Sequence, residues 1–62
     1  MTTMDDLVNS ARVRHVRWGR EGFVNIYSGM VFVLLDGTPL TEVRPGGSIA
    51  PEDLEIIPEV SS

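Results

Sequence analysis

The stretch Val13-Arg14-His15-Val16-Arg17-Trp18-Gly19-Arg20-Glu21-Gly22-Phe23-Val24 decides the fold. Val, Trp and Phe suit a pleated surface with one buried face. Gly19 and Gly22 interrupt them where a chain can reverse without a Cβ clash. A basic strand that breaks at a Gly-x-x-Gly turn and resumes as an apolar strand predicts the opening of a small β-barrel. The first strand is expected over about residues 11–18. Strict alternation fails within it, because Val13, His15 and Arg17 share one face while Val16 and Trp18 share the other. A bend or bulge is therefore expected near His15 or Val16, with the arginines divided between the two faces.

Working outward, Phe23 to Tyr27 and Met30 to Asp36 read as strands joined by the short Ser28-Gly29 link, a hairpin signal. Asp36-Gly37-Thr38-Pro39 is the next turn, and Leu40 to Arg44 a fourth strand that Pro45 ends by lacking an amide donor. Gly46-Gly47-Ser48 follows as a loop. Ala50-Pro51-Glu52-Asp53 reads as one tight helical turn, with proline where no donor is needed, before a fifth strand over Leu54 to Pro58. Upstream, Met4, Leu7, Val8 and Ala11 recur at helical spacing behind Asp5 and Asp6. So short a helix must dock on the barrel or fray. The expected organisation is a leader over 1–10, helical or disordered, one domain over 11–58 and a flexible tail over 59–62. The fold class is all-β: a five-stranded, strongly bent antiparallel barrel with a one-turn helix before the last strand.

The pattern Val13-x-His15-x-x-Trp18-Gly19-x-x-Gly22-x-Val24 resembles the opening hairpin of the Tudor-like modules found at the C-terminus of bacterial DNA helicases and in a transcription regulator that binds RNA polymerase. Those modules carry Val-x-His-x-x-Phe-Gly-x-Gly-x-Val, so Trp18 replaces the Phe and the turn is one residue longer. The spacing Gly19-x-x-Gly22-x-Val24 is also similar to the core of the KOW motif of ribosomal proteins and elongation factors. Val43-Arg44-Pro45 and Pro51-Glu52-Asp53-Leu54-Glu55-Ile56-Ile57 look like the end of such modules, with Gly46 to Ala50 as an insertion. The resemblance covers most of residues 12–57. It implies a Src-homology-3-like barrel, a docking role, and a His15 that packs at the barrel end and orders the hairpin through a ring hydrogen bond.

Composition narrows the function classes. A chain of 62 residues buries only about 60% of its unfolded surface, so one domain is the ceiling. It has no cysteine, which removes a disulfide framework and thiolate metal sites and leaves the cytoplasm as the expected compartment. The longest apolar run, Met30 to Leu35, is far shorter than the roughly 20 residues of a membrane helix, so a soluble protein without membrane contact is expected. The net charge is −4, yet Arg12, Arg14, Arg17 and Arg20 fall together without an acid between them, and the rest is acidic. Arginine without lysine suits planar recognition of carboxylate or phosphate. It equally suits a GC-rich bacterial or phage coding sequence.

Two candidate surfaces follow. Arg14, Arg17, Trp18, Arg20 and Phe23 on the first hairpin are the candidate contact for a protein partner, or for nucleic acid held by phosphate contacts and base stacking. In the apolar run, Val31, Val33 and Leu35 alternate with Met30, Phe32 and Leu34, and whichever set faces outward needs a cover. Either Met4, Leu7 and Val8 supply it, or Met30, Phe32 and Leu34 form a partner or self-association surface. No catalytic or metal site is expected, because His15 is the sole histidine and zinc would need about four ligands. Pro45-Gly46-Gly47-Ser48 lacks the Lys-Ser/Thr ending of a phosphate loop. Glu52, Asp53 and Glu55 read as a solvated turn, and no cofactor is expected. The expectation is a non-enzymatic adaptor that docks on a larger protein of transcription, repair or replication machinery. The alternatives are a direct nucleic-acid binder and an accessory subunit whose Met30–Leu35 face stabilises an enzyme or assembly.

Overall fold

The hairpin at the centre of the fold is set by local backbone chemistry. In the computed structural model, which describes residues 2–58, Ser28 and Gly29 both take positive φ, 51° and 76°. Those are the signs a type I′ two-residue turn requires, and its twist matches that of the strands it joins. The turn places Tyr27 opposite Met30 and carries the register through to Gly22 opposite Leu35. It joins β2 (Arg20–Tyr27) to β3 (Met30–Leu35).

Around this pair lie β1 (Arg12–His15), β4 (Thr41–Glu42) and β5 (Leu54–Ile56). All five strands form one antiparallel sheet in the order β4-β3-β2-β1-β5. The described residues are thus all-β apart from two single 3-10 turns, Met4–Asp6 and Pro51–Asp53. Pro51 occupies the first position of the second turn, where its missing donor costs nothing. No helix among the described residues is long and apolar enough to cross a membrane. The tail expected over 59–62 lies outside the described residues.

The inward faces of the strands meet in one core of Val13, Val24, Val33, Leu35, Val43, Ile49 and Leu54, joined by Leu7 from the N-terminal segment. That segment is tied down by hydrogen bonds. The Ser10 N–H donates to the Val24 carbonyl at 2.8 Å, the Val24 N–H to the Ala11 carbonyl at 2.8 Å, and the Ile26 N–H to Asn9 Oδ1 at 3.0 Å. Burying Leu7 adds about 2 kcal/mol, a sizeable share of the margin of so short a chain. Leu7 and the partly buried Met4 pack on the core side, whereas Val8 is exposed. They do not cover the outside of β3. Val33 and Leu35 point inward while Met30 and Leu34 are 45% and 48% exposed.

The first hairpin departs from the sequence expectation. Strand β1 stops at His15 and carries no bulge, because Val16–Gly19 is itself the turn. Arg12 and Arg14 consequently share the outer face of β1 opposite buried Val13 and His15. Gly22 is an interior residue of β2, paired with Val13 on one side and Leu35 on the other. A Cβ there would lie 2.0 Å from the Leu34 carbonyl oxygen, so the glycine serves close backbone approach, not chain reversal. Strand β4 is shorter than expected. Beyond it Val43 forms an isolated parallel bridge with Ile49, closing the Gly46-Gly47-Ser48 loop. Strand β5 ends at Ile56, although the Ile57 N–H still donates to the Arg12 carbonyl at 2.9 Å.

Candidate docking surface

The Val16–Gly19 turn is organised by His15. The ring is 1% exposed, and its Nδ1 accepts a hydrogen bond from the Trp18 N–H at 3.2 Å. The His15 carbonyl accepts from the Gly19 N–H at 2.8 Å, with Gly19 at φ 67°. The Trp18 indole lies flat on the imidazole, 3.9 Å between centroids and 10° between planes. Because Nδ1 accepts, the neutral ring carries its proton on Nε2, and that atom is buried without a partner among the described residues. Burial holds the His15 pKa below its usual 6.5; Asp53 opposes the shift and Arg17 adds to it. A buried, neutral, bonded imidazole is a structural part of this turn.

Three arginines of the cluster, Arg12, Arg17 and Arg20, meet an acidic or carbonyl oxygen. Arg12 pairs with Glu21 at 2.7 Å, and Arg14 sits in register between Glu21 and Glu55. The Arg17 guanidinium stands 3.9 Å from Asp53. Arg20 donates to the Asp36 carbonyl at 2.9 Å, clamping the turn that follows β3. Arg12 and Arg20 are thereby engaged within the fold, whereas Arg17 is held only loosely.

The two candidate surfaces of the sequence reading meet on the outer face. Phe23, 53% exposed, stands opposite Leu34 across β2 and β3. Beside them a shallow groove of ≈ 700 Å³ runs past Arg12, Arg20, Asp36 and Thr38. A neighbouring notch between Trp18, Arg20 and Thr38 carries the surface to the half-exposed indole. Trp18, Arg20, Phe23 and Leu34 therefore border connected concavities. Arg17 projects from the turn, and Arg14, on the outer face of β1 with Arg12, lines neither concavity. Met30 and Phe32 continue the apolar surface toward the far end of the hairpin. Tyr27 belongs there too, exposed and 6.0 Å from the Phe32 ring. Its place four residues after Phe23 on one strand face was the available signal for it.

Among the described residues, no group of three or more His, Cys, Asp or Glu side chains could hold a metal ion. Comparison with known proteins finds no matching family model, no matching curated protein and no matching solved structure. The functional reading rests on this geometry.

Proposed function

We propose that this chain is a non-enzymatic docking module, a Src-homology-3-like barrel of the Tudor or KOW kind that binds a larger protein of transcription, repair or replication machinery. The fold part of the proposal is supported by strand order. The last strand pairs with the first, the one-turn helix immediately precedes it, and the Val43–Ile49 bridge draws the far end of the chain path together. A cytoplasmic setting belongs to the same proposal, since such machines work there.

The observation that carries the binding part is the joined groove and notch, where Trp18, Phe23 and Leu34 remain half-exposed beside Arg20. Half-exposed aromatics flanked by an arginine are the composition of interface anchors. The partner is protein and not nucleic acid because Arg12, Arg17 and Arg20 face Glu21, Asp53 and the Asp36 carbonyl. The net charge of −4 also repels a polyanion beyond the patch.

The test is capture from lysate by the tagged protein, with Trp18→Ala and Phe23→Ala as separate folded variants and nuclease as a second axis. Nuclease-resistant capture of a protein that both variants lose supports the proposal. Capture that vanishes with nuclease, and weakens with salt at a log–log slope near −2 to −3, moves the function to nucleic acid. Capture untouched by either variant moves the contact elsewhere.

A further inference from the structure

His15 lies one layer below the surface. Its ring is 1% exposed, and the layer above it is the Trp18 indole, stacked on it at 3.9 Å and itself half-exposed. The closed turn suits a neutral ring and no other. Nδ1 is taken by the Trp18 N–H at 3.2 Å, and Nε2 is buried without a partner among the described residues. A neutral imidazole leaves one N–H unmatched there. An imidazolium, with a donor on each nitrogen, leaves two, one of them set against the N–H of Trp18, and adds a buried charge.

We propose that His15 is an acid-operated latch on the docking surface: a proton taken up at Nδ1 expels the Trp18 N–H, the Val16–Gly19 turn opens, and the indole leaves the notch where it meets a partner. The partner half rests on the docking reading above, whereas the opening is a property of the chain alone. The turn is placed to move separately from the sheet. Val16 and Trp18 are both more exposed than buried side chains of the strands, so the turn buries little apolar surface. Its backbone ties run from the Val16 N–H to the Asp53 carbonyl at 2.9 Å and from the Gly19 N–H to the His15 carbonyl at 2.8 Å, beside the bond to the ring. Low burial and few bonds put a segment at the low-stability end of a fold, while the core of Val24, Val33 and Leu35 lies in the sheet.

The charged groups that face the ring set where the latch trips. Burial is the largest influence and keeps the ring neutral in the closed turn; Asp53, on the 3-10 turn before β5, favours the cation, and Arg17, within the Val16–Gly19 turn, opposes it. Arg20 stands opposite His15 on β2 with its guanidinium held by the Asp36 carbonyl, and β5 sets the apolar Leu54 on the other side. An opened turn returns the ring to water, where it takes a proton readily. Each step toward acid below 6.5 therefore favours the open form.

The experiment follows the fluorescence of the purified chain from about pH 7.5 to about pH 4.5, because Trp18 is the sole tryptophan. On the acid side acrylamide quenching of Trp18 should rise about twofold, as a half-exposed indole becomes fully exposed, with unchanged far-ultraviolet circular dichroism. Arg17→Ala should move the midpoint toward neutral pH and Asp53→Asn should move it toward acid, while His15→Gln should show no step. Quenching that stays flat, that rises only as the circular dichroism of the sheet is lost, or whose midpoint ignores both Arg17→Ala and Asp53→Asn overturns the latch. For the docking half, a protein captured through Trp18 at about pH 7.5 should be released across the same step. Retention of that protein on the acid side of the step overturns the regulation, whereas failure to capture any protein at about pH 7.5 overturns the docking reading and leaves the latch decided by the fluorescence.

Discussion

The Trp18 indole is stacked on the His15 imidazole at 3.9 Å, and the Trp18 backbone N–H donates to the Nδ1 of that same ring. One buried side chain thus fixes both the path of the turn and the orientation of the aromatic it presents. The arrangement needs Nδ1 unprotonated, since an imidazolium would set an N–H against an N–H.

Stability should therefore depend on pH through His15. Its folded pKa lies below 6.5 because burial disfavours the charged ring. As pH falls through 6.5 the unfolded chain takes up a proton that the folded chain does not, so stability declines toward acid. The decline can reach about 1.4 kcal/mol per pH unit and ends below the folded pKa. Urea unfolding at pH 7.5, 6.5 and 5.5 checks this. The wild type should lose stability across that series, and His15→Gln, weaker at pH 7.5, should show a flatter profile. Equal stability of the wild type at all three values would remove the neutral-ring account of the turn.

Gly22→Ala should be among the most damaging small substitutions. The added methyl would meet the Leu34 carbonyl 2.0 Å away and the Leu35 Cα at 2.7 Å, both backbone atoms of a paired strand that cannot give way locally. Relief requires parting β2 from β3, and overpacking of this kind costs about 1–3 kcal/mol or more. Against a total of roughly 5 kcal/mol for so short a chain, the melting temperature should fall by about 10 °C or more, on the order given by the size scaling of unfolding entropy. Thermal unfolding that matches wild type within about 2 °C would contradict the close approach.

Gly29→Ala should be milder, for a different reason. Nothing lies within 4 Å of a Cβ at that position, but φ is 76°, so the cost is the left-handed backbone alone, about 1–2 kcal/mol. The neighbouring Ser28, at φ 51°, is the place for a gain. Ser28→Asn completes the Asn-Gly pair favoured in type I′ turns and should raise stability by about 0.5 kcal/mol. Denaturant titration should rank Ser28→Asn above wild type, and Gly29→Ala below wild type yet above Gly22→Ala. A Gly29→Ala variant no more stable than Gly22→Ala would remove the distinction between backbone strain and steric overlap.

How much of this was legible in the sequence follows from where each constraint originates. The β2–β3 hairpin was readable because Ser28-Gly29 sets its turn locally between two apolar runs, whereas which face of Met30–Leu35 points inward was not, since the run is apolar at every position. Pro51 likewise announced the turn before β5 from its own lack of a donor. The resemblance implied that His15 orders the hairpin through a ring hydrogen bond, but the expected end of β1 falls too late, because nothing local says that its Nδ1 takes the N–H three residues on and so stops the strand at His15. Gly22 looked like a turn residue because its reason is the Leu34 carbonyl of another strand. Phe23, Met30, Phe32 and Leu34 could be named as apolar, but their union on one outer face needed the register. The arginines could be counted, but their engagement by Glu21, Asp53 and the Asp36 carbonyl is a tertiary fact.

Arg20 and Arg17 should separate cleanly on substitution. Arg20 donates to the Asp36 carbonyl 16 residues away in sequence, and Gly37 leaves it room, since a Cβ there would stand 2.4 Å from its Nη1. Arg20→Ala removes a charged donor from a turn carbonyl and should cost about 1–1.5 kcal/mol, with faster amide exchange in residues 36–38. Gly37→Ala should reproduce part of that loss by displacing the guanidinium and by placing alanine at φ 80°. Arg17 makes only a 3.9 Å contact with Asp53 from a side chain 73% exposed, so Arg17→Ala should stay within about 0.5 kcal/mol of wild type. If Arg17 contributes to partner capture, that variant will lose binding without losing stability, whereas Arg20→Ala will lose both. Equal stability of the two variants would show that the Asp36 clamp does not hold the turn in solution.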